Sequence, residues 1–436
     1  MLTSAEILIT EDRQSRMELV TQIFIVAVVA TTLLQLWLMQ RQIGHVAKHR
    51  AAVPDAFAAK VELAAHQKAA DYTISKTRFA RLELLYGSLL LLGWTLGGGL
   101  QWLNELWLGL AWSPLWTGVA VMSSLLVIAE LLGLPFALYS TFAIEQRFGF
   151  NRMTAGLFIA DLVKQILLTL TIGIPLLWVI LWLMHQASSL WWLQVWAVWM
   201  GFSLLMFWAY PAFIAPLFNK FQPLESHELR QRIEHLMQRC GFTSNGIFVM
   251  DGSRRSAHGN AYFTGLGQNK RIVFYDTLID SLSGSEVEAV LAHELGHFKR
   301  RHILKRLIST AAMSLAGLAL LGWLIEQPQF YHGLGVTDMS KHMALILFRL
   351  LMPIAAVVIH PLFSWVSRKH EFEADAYAAE QTNAADLIQA LVKLYISNRT
   401  WVPISDGAKK WIRKSDYPLT GVPVTIKGKP IGSDIS

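Results

Sequence analysis

The chain has 436 residues, 53% hydrophobic and only 16% charged, against about 25% charge in ordinary soluble domains. Its 17 Trp, 22 Phe and 10 Tyr exclude a disordered chain, and its mean hydropathy of +0.38 replaces a string of soluble domains with a polytopic membrane protein. A single cysteine, Cys240, excludes an internal disulfide and a thiolate zinc site, while the net charge of +7 takes its meaning from where the charges fall.

A membrane-crossing helix needs about 20 apolar residues. Residues 19–40 carry no charge, and the preceding segment holds Glu6, Glu11, Asp12 and Glu18, the wrong sign for the start of a signal peptide. Further spans are expected at about 84–104 and 106–129. From 165 to 219 no Asp, Glu, Lys or Arg occurs, and polar residues around His185 divide that run into spans at about 165–184 and 190–210. Two more are expected at about 307–325 and 350–367, giving seven. The expected organisation is a membrane region (1–219), a polar segment (220–306), a region with the last two spans (307–367), a helical segment (368–403) and a polar tail (404–436).

The connections alternate in charge. Residues 41–81 include Arg41, Lys48, Arg50, Lys60, Lys68, Lys76, Arg78 and Arg81, whereas the next connection has Glu105 alone. Arg147, Arg152 and Lys164 follow, then an uncharged hairpin, then the basic segment 220–306, then Lys341 alone. Because basic connections stay on the cytoplasmic side, the N-terminus is expected outside and the C-terminus inside. The basic surplus is then mainly topological and calls for no nucleic acid. The basic first connection and the lack of a cleavable signal or retrieval tail favour a bacterial inner membrane over endoplasmic reticulum.

In the polar segment, "IFVMDG" (247–252) and "RIVFYDTLI" (271–279) read as strands of a small sheet or hairpin. The run "GSEVEAVLAHELGHFKRRH" reads as a helix, with Ser283 or Ser285 as cap. His293 and His297, four residues apart, share one face of that helix and suit a single Zn²⁺. Glu294 beside them suits a general base for water; the alternative is two solvated or core histidines. His302 lies about 140° round a continuous helix from His297 and is expected to face elsewhere. A third ligand is sought in "SRKHEFEADAYA" (367–378), where His370, Glu371 and Glu373 compete and Asp375 shares a face with Glu371.

With these motifs stand "YSTFAIEQRFGFNRMT" (139–154), "FNKFQPL" (218–224) and "GSRRSAHGNAYFTGLGQNKRIVFYDTL" (252–278). In this order they resemble the zinc-dependent integral-membrane CAAX prenyl proteases over about residues 70–400. The resemblance implies an all-α polytopic membrane protein, about seven transmembrane helices around an intramembrane chamber, with a small α+β zinc-metallopeptidase domain. It implies one Zn²⁺ on His293, His297 and Glu371, Glu294 as catalytic base and Asp375 behind the ligands. It also implies that Asn260, Ala261 and Tyr262 hold substrate as an extended strand. Glu145, Arg147 and Asn151 read as inter-helix polar pairing and His258 as structural. The implied partners are the bilayer and a prenylated C-terminal CAAX peptide that loses its last three residues. A membrane quality-control protease, or a transporter or receptor retaining a zinc site, is the alternative. The family's His-Pro-Pro element is missing after residue 403, so the tail reads as divergent, truncated or frame-shifted. Loss of one oxyanion donor typically costs about 10²–10³ in rate.

Overall fold

Apolar runs in lipid must satisfy their own backbone, so the chain is dominated by helices. The computed structural model describes residues 4–54, 58, 60–186, 189–264, 271–398, 424–426 and 429–431. Helix α1 (Ser4–His49) has 46 residues, about 69 Å at 1.5 Å per residue. That is more than twice a hydrocarbon layer of about 30 Å, so its polar ends project beyond the crossing.

Helices α2 (Leu63–Trp94) and α3 (Gly99–Leu108) form a pair bent by 50°. Helix α4 (Pro114–Tyr139) passes through a π-helical turn (Ser140–Glu145) into α5 (Gln146–Phe148). After α6 (Ala155–His185), α7 (Trp191–Ala209) likewise continues through a π-helical turn (Tyr210–Ile214) into α8 (Ala215–Phe218). The polar segment follows as β1 (Phe221–Pro223), α9 (His227–Cys240), β2 (Ile247–Met250), β3 (Ala261–Thr264), β4 (Arg271–Tyr275), α10 (Asp276–Ser281) and α11 (Gly284–Lys299). Then come α12 (His302–Leu324), α13 (Pro328–His332), the 41-residue α14 (Lys341–Gln381) and α15 (Ala384–Asn398). Strands β5 (Val424–Ile426) and β6 (Lys429–Ile431) pair with each other. The expected tail, 404–436, otherwise lies outside the described residues.

Among the described residues six helices are long and apolar enough to cross a membrane, or seven when the bent α2–α3 pair is counted as one span. Their outer faces carry Leu33, Trp37, Val358 and Leu362, more than half exposed, as side chains solvated by lipid should be. The protein is an integral membrane protein, and six or seven candidate spans stand against the seven expected from the sequence. Two span limits differ from those read at 84–104 and 106–129. The chain breaks at 95–98, where Gly98 takes a left-handed φ of 77°, and again at 109–113, where Ala111 has φ 54° before Pro114 starts α4. Charge marked Glu105 as the boundary, but backbone conformation places the breaks on either side of it.

The sheet is mixed, in the order β1-β2-β4-β3. The two strands anticipated from sequence, β2 and β4, are neighbours but parallel, with Ile247 opposite Ile272. The segment between them crosses over and lays β3 antiparallel on the outer side of β4. This leaves β3 as an edge. One face of the sheet packs on α9, α10, α11 and α15 through Ile233, Leu236, Phe274, Val287, Leu291, Leu295 and Leu391. A second core, with Leu100, Leu181, Met184, Tyr331 and Met343, fills the far end of the membrane bundle. There the buried Asn104 donates to Asp338 at 2.7 Å and accepts from His342 at 2.9 Å, pinning the loop after α13.

Helix α11 begins with a reciprocal cap: Ser283 Oγ accepts from Glu286 N–H while Glu286 accepts from Ser283 N–H. The same buried Glu286 accepts from Lys393 Nζ of α15 at 2.7 Å. Burial pushes this carboxyl up, but Lys393 and the Ser283 donors outweigh it and hold the group below its usual range. A depressed carboxyl stabilises the fold above its unfolded pKa of about 4.3, and that contribution disappears as pH falls through the folded value. Lys393→Gln should therefore cost about 1 kcal/mol at pH 7 and move acid unfolding to higher pH. Thermal unfolding of the detergent-solubilised protein between pH 7 and pH 3 measures both effects; an unaltered acid limb would count against the coupling.

Candidate metal centre

The site is built where α11 lies against the membrane-distal part of α14. Gly296 makes that approach possible: a Cβ there would lie 2.9 Å from Ala374 Cα and 3.0 Å from its carbonyl oxygen. With the two backbones this close, His293, His297 and Glu371 each point one ligand atom into a common space, all within 4.8 Å of one another. His293 Nε2 is 3.3 Å from His297 Nε2 and 3.5 Å from Glu371 Oε2, and His297 Nε2 is 3.6 Å from that same oxygen.

Two imidazoles and a carboxylate form a donor set suited to a divalent metal. The electrostatics agree. Burial would push the His293 imidazole down, yet hydrogen bonds to Asp375 and Glu371, with the nearby Glu294 charge, hold it up to about 10. A buried site that retains a proton this strongly is one that favours positive charge. His293 Nδ1–H donates to Asp375 Oδ1 at 2.8 Å, so the proton that a metal would displace is the one on Nε2, which faces the other two donors. The residues present fit a bound metal.

The other candidates in 367–378 have separate places. Glu373 does not join the three donors but accepts from His302 Nε2–H at 2.9 Å. His370 stacks on His302 with ring centroids 4.0 Å apart. His302 was expected to face away, but α11 ends at Lys299 and Arg301 adopts a left-handed φ of 55° before α12. That break carries His302 back until its Nδ1 is 3.0 Å from Nδ1 of His297. The "KRRH" run gives little warning of it, since Arg is not a residue that ordinarily marks a left-handed turn.

Asn260, Ala261 and Tyr262 lie at the start of the edge strand. Ala261 is buried and Phe263 packs edge-on to Phe298, with ring centroids 5.1 Å apart, fastening β3 to the residue after His297. Tyr275 N–H donates to the Asn260 carbonyl, and Tyr262 pairs with Val273, so the main-chain groups of Ala261 and Phe263 turn outward. Asn260 Oδ1 accepts from Ala261 N–H at 2.9 Å, which puts the Asn260 side chain on that outer edge. Burial raises the Tyr262 hydroxyl pKa, and the nearby Tyr275 and Tyr210 raise it further, so it stays protonated.

The segment leading into β3 is held by the membrane helices. Arg255 donates twice to Asp161 of α6, at 2.7 and 3.0 Å, and once to Asn219 Oδ1 at 2.8 Å. His258 stacks on Phe150 at 4.1 Å and lies 3.6 Å from Glu145, which also accepts from Tyr72 and Lys76. Glu145 thus joins α2 to this segment. Arg147 lies over the Phe148 ring and Asn151 caps its own turn through Met153 N–H.

Two family models match the chain in tandem: CAAX prenyl protease N-terminal, five membrane helices, over residues 42–220, and peptidase family M48 over 223–421. A CAAX prenyl protease 1 homolog of Caenorhabditis elegans is 32% identical over 389 residues, covering 81% of this chain and 85% of that protein. The chain belongs to the CAAX prenyl protease family. Membership of peptidase family M48 implies a metal cofactor, consistent with the donor set at α11 and α14. Within this family, CAAX prenyl protease 1 of Saccharomyces cerevisiae is 37% identical over 298 residues. That match covers 64% of this chain and 65% of the yeast protein, just under two thirds of its length. A crystal structure of S. mikatae Ste24p superposes with a TM-score of 0.82 at 29% identity, covering 89% of this chain and 94% of that one.

The Gly296 contact yields a direct test. Gly296→Ala puts a methyl group against the α14 backbone, a strain of about 1–3 kcal/mol that α14 relieves by moving away. Metal retention in a chelator challenge should fall at least tenfold, while the helical circular dichroism changes little. Retention equal to the parent protein would show that the helix approach is not limiting.

Proposed function

We propose that the chain is a membrane-embedded zinc metalloendopeptidase acting on membrane-associated peptides, most readily those bearing a prenylated C-terminal CAAX sequence. The convergence of His293, His297 and Glu371 in one space beside Glu294 carries this reading. The names of the matched relatives support the substrate class. A quality-control protease would use the same residues on unlipidated chains.

In this reading His293, His297 and Glu371 hold one Zn²⁺, and Asp375 keeps His293 in the tautomer that ligates. A zinc ion held by these residues would supply Lewis acidity for the scissile carbonyl and for water. Glu294 takes the proton from the attacking water and delivers it to the leaving amine. The outward main chain of β3 pairs with the substrate backbone, as exposed edges do with extended peptides. Asn260 stands at that edge to hydrogen-bond the added strand. The Arg255–Asp161 and His258–Phe150 contacts fix the height of β3 relative to the membrane helices. The peptidase unit comprises 220–306 completed by 368–403, and a chamber between the helices would admit a lipid-bearing substrate from the membrane.

The orientation proposed is N-terminus outside, with the zinc site and C-terminus cytoplasmic. It is supported by the basic connections 41–81, 147–164 and 220–306, with a bacterial inner membrane as the compartment that the first of them favours. Cysteine labelling from either side, at introduced sites in 51–54 and 326–337, reads the orientation directly.

Glu294→Gln should retain one zinc per chain and lose at least about 10²-fold in kcat, because it removes the proton carrier and not a ligand. Normal turnover by that variant would remove Glu294 from the mechanism. Peptides N-methylated at successive positions should lose cleavage at alternate positions, following the two-residue period of strand pairing. Equal tolerance at every position would rule out edge-strand docking. Comparing a farnesylated peptide with its unmodified twin decides the substrate class, and equal kcat/KM for the two would favour the quality-control reading.

A further inference from the structure

The ligand imidazoles differ in how their rear nitrogens are held. His293 Nδ1 meets a carboxylate directly, at Asp375. His297 Nδ1 meets another imidazole, His302, and only then a carboxylate, Glu373. The order of donors along this second chain is fixed by its end. A carboxylate accepts, so His302 Nε2 carries the hydrogen facing Glu373. A neutral imidazole has one donor and one acceptor, so His302 Nδ1 is the acceptor and His297 Nδ1–H donates to it. The remaining nitrogen, His297 Nε2, is then the lone pair that faces His293 and Glu371.

We propose that His302 is a positioning residue for His297, setting its tautomer and ring angle through a Glu373–His302–His297 relay. This rests on the proposed metal site and extends it by residues outside the ligand set. Four further observations support a built relay. His302 is 4% exposed, so water is poorly placed to substitute for it. Its ring plane is fixed by the His370 stack, at 4.0 Å and 13°. Arg301 occupies a left-handed conformation that is unfavourable for a non-glycine residue, and that conformation returns His302 to His297. Lys305 Nζ, 3.9 Å from Glu373, steadies the far end. Both imidazoles thus receive a carboxylate from α14, one directly and one through a second ring.

The test uses the full chain in detergent, loaded with zinc and challenged with a chromophoric chelator. His302→Ala should release zinc about 10–100-fold more readily than the parent, the usual loss when the partner behind a ligand is removed. His302→Asn, whose amide oxygen can accept the His297 N–H, should recover most of that loss. Glu373→Leu, which leaves His302 Nε2–H without its acceptor, should show a smaller loss in the same direction. Each loss should also appear in the d–d bands of the cobalt-substituted protein, and in kcat with KM nearly unchanged. Parent-like zinc retention by His302→Ala or Glu373→Leu, in protein native by circular dichroism and gel filtration, would overturn the relay while leaving the metal site standing. If His302→Ala fails to fold, the partly exposed Glu373 position decides the matter. A parent protein that takes up no zinc, or a His297→Ala variant that keeps it fully, would overturn the site itself and the relay with it.

Discussion

The close approach of α11 to α14 is the contact on which the remainder depends. It is a backbone-to-backbone contact, with Gly296 against Ala374, and it has no room for one additional carbon. Everything that makes the site a candidate for chemistry lies across that seam. His293 and His297 stand on one side, and Glu371, Glu373 and Asp375 on the other. Neither helix could assemble the donor set alone. The buried cluster beneath the seam, with Leu291, Leu295, Tyr377 and Ala378, supplies the apolar burial that holds the helices together. The acidic and imidazole groups can therefore be arranged for affinity and not for stability.

The membrane helices do more than anchor this unit. Charged contacts from α2 and α6 reach the segment that precedes β3, through Glu145 and Asp161. Two bonds from one guanidinium to one carboxylate, both partners largely shielded, resist rotation in a way a lysine contact would not. The edge strand is consequently fastened on two sides: to α11 by Phe263 and Phe298, and to the membrane helices by Arg255. A strand held this way has little freedom to shift along its neighbour.

Much of this was legible in the residues before any coordinates. Apolar run lengths and the alternating charge of the connections lead to seven spans, and the four-residue spacing of His293 and His297 puts them on one face. Three things escaped for identifiable reasons. The breaks around α3 follow from φ at Gly98 and Ala111, whereas the sequence offers Glu105 as the obvious boundary. The parallel pairing of β2 with β4 depends on a crossover whose β3 is only four residues long. His302 depends on Arg301, whose side chain gives no sign of a left-handed backbone. Local pattern reports faces and lengths well; it does not report a single residue that reverses the chain direction.

Helix α14 gives the molecule a measuring device. It runs unbroken from Lys341 to Gln381, with Pro353 and Pro361 inside it, and carries both an apolar crossing and Glu371. The apolar run ends near Ser367, so Glu371 sits about 6 Å further along the axis at 1.5 Å per residue. One continuous helix of this kind ties Glu371 to the end of the apolar run by a fixed number of residues, whatever the loops around it do. In the proposed reaction, a substrate tethered in the same bilayer would meet the site at a bond chosen by its distance from the tether before side-chain preference has any influence.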